Sequence, residues 1–187
     1  MTLYSFFFQV QILVLGLALA KIANDAHRLI VARSRIAWAI EPFLGALYLI
    51  GIILFLILKS WMQRDIVVLT GFYVLIETAR FLALYLAAAL ILPDFEERGE
   101  AIDLKEYYYE NRAPLYLILF IGSLLFLPTD IERGIVDIGY IVIIGGFMCL
   151  YALLAWKPWR WLHIPALIFF AGSQFFGVLS FRISEVL

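Results

Sequence analysis

Glu77 and Arg80 stand three residues apart inside an apolar stretch that runs from residue 65 to residue 92. On a helix this spacing turns an acid and a base to one face, where they can pair. Thr70 and Tyr73 precede them, and at 100° per residue all four fall within an arc of roughly 80°. The stretch is long enough to cross a bilayer, which puts both charges near the thickest hydrocarbon. A charged side chain there costs about 2.5–3.5 kcal/mol even on the mildest scale, so the polar stripe is expected to face protein. Two chemistries fit. The pair is a structural ion pair that fixes how helices meet, or it belongs to a path or binding site for an ion, a proton or a charged solute.

Other polar side chains occupy apolar segments: Gln9 and Gln11 in the first, Ser123 in the fourth, Ser173 and Gln174 in the last. Hydrogen bonding between helices is their expected use, with lining a path as the alternative. Gln174, about midway along its segment, is the expected partner of the Glu77/Arg80 pair. Glu41-Pro42 and Asp137 stand at segment starts, where Pro fits the first turn and an acid favours the helix dipole. His27 and His163 fall at comparable depth near one membrane face. Two imidazoles from different helices could ligate a haem or half a metal site. No His-x-x-x-His pair or flanking carboxylate cluster accompanies them, so interfacial histidines are expected and no metal or cofactor is predicted.

These residues must be positioned by membrane helices. Of 187 residues, 65% are hydrophobic and 16% charged, whereas a soluble domain carries roughly 45–50% apolar and 25% charged residues. The net charge of −1 supplies no general attraction to nucleic acid. A single cysteine, Cys149, excludes an internal disulfide. Six segments approach the roughly 20 apolar residues that a spanning helix needs: residues 3–22, 38–58, 66–92, 114–127, 135–156 and 161–181. The first lacks a basic leader and a small-residue cleavage site, so it reads as a retained span. The fourth is short and is expected to stop at Pro128; an earlier start, with Tyr107, Tyr108, Tyr109 and Tyr116 as an interfacial collar, is one alternative and a re-entrant segment another, and six spans are kept. Continuous apolar runs without alternation predict helices and not barrel strands. The expected fold is therefore all-α, a single bundle of six transmembrane helices.

Orientation follows from lysine and arginine in the connections. Lys21, Arg28, Arg33, Arg35, Arg98, Lys105, Arg112, Lys157 and Arg160 fall on one side; Lys59, Arg64, Arg133 and Arg182 fall on the other. Both termini are thus expected outside the cytoplasm, with loop 93–113 inside it. The connection 21–35 has no Gly or Pro, so helix 1 is expected to continue past the membrane as a basic amphipathic extension through Ala26, Leu29 and Ile30, suited to anionic headgroups. Asp103 with Glu106 three residues on predicts a helix N-cap in the loop. Lys59-Ser-Trp61 echoes Lys157-Pro-Trp159, but the echo would align Glu77 with Phe175 and Arg80 with Val178, so no inverted repeat is predicted. Glycines at 45, 51, 139, 145, 146, 172 and 177 are expected to allow close helix contact within or between subunits. Trp38, Trp61, Trp156, Trp159 and Trp161 read as an interfacial belt.

Leu92-Pro93-Asp94, Asp103-Leu104, Tyr107-Tyr108 and Asn111-Arg112 ahead of a new span, with the basic connection from His27 to Trp38, resemble an uncharacterised group of small bacterial six-helix membrane proteins. The resemblance implies architecture and a bacterial cytoplasmic membrane, and no activity.

No Gly-rich phosphate loop, GxSxG, HExxH, CxxC, potassium-filter sequence or regular arginine ladder is present. The last segment holds no lysine for a Schiff base. Catalysis is therefore the least expected role. The expected classes are a small channel or transporter, with Thr70, Tyr73, Glu77, Arg80 and Gln174 at its intramembrane site, or a non-catalytic scaffold or accessory subunit. The expected partners are the lipid bilayer, further copies of the chain and a membrane protein, with no nucleic acid.

Overall fold

A computed structural model describes residues 3–62, 70–94, 101–132 and 137–180. The first helix, α1 (Leu3–Val31), has 29 residues, about 43 Å at 1.5 Å per residue. That exceeds the roughly 30 Å of a hydrocarbon core, as an unbroken sequence between residues 21 and 31 requires. A single 3-10 turn (Arg33–Arg35) and strand β1 (Ile36–Ala37) lead into α2 (Ile40–Met62). Helix α3 (Gly71–Ile91) follows, then β2 (Ile102–Asp103), α4 (Leu104–Leu124), the short α5 (Phe126–Glu132), α6 (Ile138–Trp156) and α7 (Arg160–Ser180). Six of these helices are long and apolar enough to cross a membrane.

The fourth span differs from its expected bounds of 114–127. It starts at Leu104, ten residues earlier, because Asp103 accepts from the backbone N–H groups of Lys105 and Glu106 at 2.8 and 3.1 Å and starts the helix there. Pro114 lies inside α4 without ending it. Only the part of loop 93–113 before Leu104 lies outside α4, and residues 95–100 of it lie outside the described set. The chain breaks after Leu124 and not at Pro128, which sits in the first turn of α5, where its missing N–H costs nothing. The described helix of the third span is Gly71–Ile91; residues 66–69 of the expected span, like 135, 136 and 181 of the fifth and sixth, lie outside the described residues.

The connections α1–α2, α3–α4 and α6–α7 share one end of the bundle, here the loop end. There β1 and β2 pair in parallel, Ile36 with Ile102 and Ala37 with Asp103, joining two loops. Asp94 receives Arg28 at 3.0 Å and Lys21 at 3.5 Å, and the Tyr107 hydroxyl donates toward the carbonyls of Leu90 and Leu92 at 3.2 Å. At the opposite end Phe7 meets Tyr73 edge-on and Phe8 meets Trp61. Helix α2 is the centre: half of its spanning window is buried, against 11% for α6. Leu49, Ile53 and Leu56 of α2 pack with Phe81, Ala87 and Ala88 of α3 and Phe170 of α7 in one apolar core. Large aliphatic and aromatic groups cover the outside, among them Ile138, Val142, Phe176 and Leu179, as expected where lipid tails are the solvent. All five tryptophans are exposed near helix ends, the position of an interfacial belt.

Helices α2 and α7 run in parallel and approach closely through glycine. A Cβ at Gly51 would lie 2.8 Å from Cβ of Gln174 on α7, whereas one at Gly45 would meet the Ile91 δ1 methyl of α3. Gly145, Gly146 and Gly172 face no atom within 4 Å, so they mediate no contact inside the described chain. The two tight glycines differ in what must yield. A side-chain methyl can rotate away, whereas a Cβ moves only with its helix. Gly51→Ala is expected to lose about 1–3 kcal/mol to overpacking, partly offset by the roughly 1 kcal/mol helix preference of alanine. Thermal unfolding in detergent should place Gly51→Ala below wild type and Gly45→Ala near it; equal melting of the two would contradict the α2–α7 contact.

Candidate functional site

Thr70 is not on the helical stripe. It is the N-cap of α3, and its hydroxyl accepts from the Tyr73 backbone N–H at 3.1 Å; extended backbone at Thr70 takes it off the 100° progression. Tyr73, Glu77 and Arg80 are buried on α3. Arg80 Nη1 donates to Glu77 Oε1 at 2.7 Å. Its guanidinium carbon lies 3.8 Å from the centre of the Phe126 ring on α5 and 5.0 Å from that of Phe81. A desolvated cation over an aromatic face gains about 2 kcal/mol, so Phe126 shares with Glu77 the task of holding this charge. Arg80 is the tenth residue of α3 and Glu77 the seventh, which puts the arginine nearer mid-span.

Gln174 does not join the pair. Helix α7 packs against α2, and Gln174 lies against Gly51 on that contact, so an adjacent helix separates it from Glu77. Ser173 bonds the Phe170 carbonyl of its own helix at 2.8 Å. Phe126, which does approach Arg80, carries no sequence signal of its position. Phe126 and Asp130 ride on α5, whose Asp130 is buried, receives the Tyr140 hydroxyl, and lies 3.8 Å from Lys59 Nζ. Lys59 also lies 5.3 Å from the Phe126 ring centre. Among the described residues, two acids and two bases thus lie near Phe126.

Arg80 lines a cavity of about 40 Å³ together with Ala83, Gly122, Ser123, Phe126 and Tyr151. Ile52, Leu84, Ile118 and Leu119 complete a largely apolar lining, and a space of this size is large enough for one water. Glu77 does not border it.

Beyond the cavity, the interior carries hydroxyls and an imidazole. The hydroxyls of Tyr48 and Tyr151 are hydrogen-bonded to each other. The Tyr151 ring stacks on Tyr116 with centres 6.2 Å apart. Tyr116 bonds Tyr108 at 2.7 Å, and Tyr108 bonds His163 Nδ1 at 3.0 Å. His163 Nε2 meets the Lys157 carbonyl at 2.8 Å. A carbonyl only accepts, so Nε2 carries the hydrogen and Nδ1 of the neutral ring is the acceptor. Both ring nitrogens are therefore engaged, and His163 is buried rather than interfacial; His27 is exposed on α1. The two do not meet, and among the described residues no group of three His, Cys, Asp or Glu is placed to hold a metal ion.

At the loop end Glu41 is fully buried, with Oε1 at 2.7 Å from Nε of Arg160, the first residue of α7. Its place in the first turn of α2 fits the expected dipole interaction; the cross-helix ion pair is additional. Arg112 donates to the Tyr109 carbonyl, while the buried Tyr109 hydroxyl and Glu41 Oε2 have no hydrogen-bond partner among the described residues. Reading Tyr107–Tyr109 as a collar missed this. The available signal was the eight-residue spacing of Tyr108 and Tyr116, one face of a helix that starts at Leu104.

The chain matches no known family model, no curated protein and no solved structure.

The ion pair makes an asymmetric prediction. Arg80→Leu leaves Glu77 buried without its counter-charge and is expected to cost about 3–5 kcal/mol, whereas Glu77→Leu/Arg80→Leu removes both charges and recovers most of that loss. Melting of the purified variants in detergent checks it; a double variant as unstable as Arg80→Leu would mean that the charges hold something besides each other.

Proposed function

We propose that this multi-pass membrane protein is a small channel or transporter for a proton, an ion or a small solute, with the Glu77/Arg80 stripe of α3 beside its route. The observation that carries the reading is the cavity where Arg80, Ser123 and Tyr151 converge inside the bundle. A guanidinium held at mid-span is costly to a membrane protein and is expected where a charge must be met or moved. Polar clusters at both ends support a route: Glu41, Tyr109, Arg112 and Arg160 at the loop end, and Lys59, Asp130 and Tyr140 at the other. The excess of basic residues at the loop end supports a cytoplasmic position for it and an extracytoplasmic position for both termini. The resemblance to small bacterial membrane proteins supports the cytoplasmic membrane of a bacterium. The largely unburied α6, with Gly145 and Gly146 open on it, supports assembly of several copies.

A second reading, a scaffold or accessory subunit without transport, is favoured by the burial of Glu77 away from the cavity. In that case the pair only fixes how α3 and α5 meet.

Flux in proteoliposomes separates the two. Wild type is expected to move protons or a common ion above empty liposomes, and Glu77→Gln and Arg80→Gln at matched incorporation are expected to lower that flux at least tenfold while remaining folded. Flux unchanged in both folded variants would remove the stripe from the route, and no flux above empty liposomes for any ion tested would favour the scaffold.

A further inference from the structure

We propose that the turn between α6 and α7 is a docking site for the headgroup of an anionic phospholipid. The turn is the run Trp156-Lys157-Pro158-Trp159-Arg160-Trp161, which holds three indoles, two cations and no acid. The inference is independent of the transport reading.

The interior holds this turn in one shape. Lys157 caps α6, its backbone N–H donating to the Leu153 carbonyl at 2.8 Å. Its own carbonyl accepts from Nε2 of the fully buried His163 at 2.8 Å. The backbone N–H groups of Leu162 and His163 donate to the Trp159 carbonyl at 2.9 and 3.1 Å and start α7. The backbone is thus tied inward while Trp156, Trp159 and Trp161 are exposed.

Those indoles place the cations. Lys157 Nζ lies 4.5 Å from the centre of the Trp156 ring and 5.4 Å from that of Trp159, and Trp159 stacks on Trp161 with centres 5.5 Å apart. A ring face attracts a cation but gives the three N–H donors of an ammonium no oxygen to bond. Among the described residues Lys157 has no carboxylate partner. Arg160 meets Glu41 through Nε at 2.7 Å and is still half-exposed, so that contact does not use its two terminal nitrogens. Two cations against the single charge of Glu41 leave the turn positive. A phosphodiester supplies what is missing: anionic oxygens, at the depth that exposed tryptophans mark.

The surface below the turn points to a lipid and not to free phosphate. On α6 Trp156, Leu153 and Cys149 are exposed at a spacing of three and then four residues, one face of a helix. On α7 Trp161 and Ile168 are exposed seven residues apart, again on one face. These apolar ridges descend from the turn as acyl chains descend from a headgroup. An anionic lipid is favoured over a zwitterionic one, which carries its own cation beside the phosphate.

The test is quenching of tryptophan fluorescence by lipids brominated on their acyl chains. Trp38→Phe/Trp61→Phe is the parent, because it leaves the three indoles of the turn. Vesicles contain equal phosphatidylglycerol and phosphatidylcholine, with either one brominated. Brominated phosphatidylglycerol is expected to quench more, corresponding to about fivefold enrichment at the turn. Lys157→Gln is expected to bring the two mixtures level, and Lys157→Arg to keep the enrichment. Lys105→Gln, which removes an exposed charge of the same end outside the turn, is expected to keep it too. Equal quenching of the parent by the two mixtures would overturn the site and leave the tryptophans as an ordinary belt. Equal losses in Lys157→Gln and Lys105→Gln would overturn it as well, since they would mean general surface charge. Should Lys157→Gln fail to fold, Lys157→Met, which keeps an apolar stem on the indoles, takes its place with the same loss expected.

Discussion

A guanidinium inside a bilayer has no water to turn to, and the arrangement of α3, α4 and α5 follows from how Arg80 is accommodated. Glu77, one turn away on its own helix, supplies the counter-charge at 2.7 Å. The positively charged face that remains is closed by Phe126 at 3.8 Å, which requires a second element to fold back against α3. That element is α5, and it is why the chain does not run straight out of the membrane after Leu124. The same short helix brings Asp130 to Lys59 and Tyr140. An apparent loop after the fourth span is thus the cover of a buried charge.

Helix α4 is the second determinant, because its starting point sets which residues share a face. With Asp103 as its cap, Tyr108, Leu115, Tyr116, Leu119 and Gly122 turn inward together. Three hydroxyl-bearing or imidazole side chains then meet in the interior with their hydrogen-bonding groups satisfied by one another. Such a network is stabilising only when complete, since an unpaired hydroxyl in a dry core costs about 1–3 kcal/mol. Gly122 serves the same packing in a different way: it lies against Ala83 and brings α4 close to α3 at the cavity wall.

The number of spans, the long first helix and the tryptophan belt were legible because each depends on local composition: an apolar run of sufficient length, an unbroken stretch, an aromatic near a helix end. The inward face of the α3 stripe was legible for the same reason, since charge in hydrocarbon leaves few options. The start of α4 was obscured by the acids and tyrosines of residues 103–113, which lower local hydropathy and resemble a solvated loop. A helix starting at 114 leaves Tyr108 outside it and hides its relation to Tyr116. Only depth relates Gln174 to Arg80 in the sequence. Depth is encoded along one segment, but which helices are neighbours is not, and α7 packs on α2 through Gly51. Thr70 shows a smaller version of the same limit. Its spacing is helical, yet a hydroxyl before a helix satisfies a backbone N–H more readily than it continues the turn.

Among the described residues, burial of the ion pairs sets Arg80 apart from Lys21, Lys59 and Arg160. Asp25, Asp130 and Glu41 are buried, but their partners Lys21, Lys59 and Arg160 remain 22%, 25% and 54% exposed. A long basic side chain can keep its head at the interface while a shorter carboxylate cannot, so these pairs reconcile charge with membrane depth at modest cost. Arg80 is 6% exposed against 5% for Glu77; it does not reach an interface at either end. Snorkelling explains the peripheral pairs as ordinary membrane-protein chemistry and leaves the central one unexplained by it. What distinguishes the central pair is the cavity at the arginine, bordered by Ser123 and Tyr151. A purely structural pair needs only a counter-charge and close contact, both of which Glu77 and Phe126 provide. The space beside the guanidinium, bordered by Ser123 and Tyr151 and otherwise by apolar side chains, serves neither of those needs.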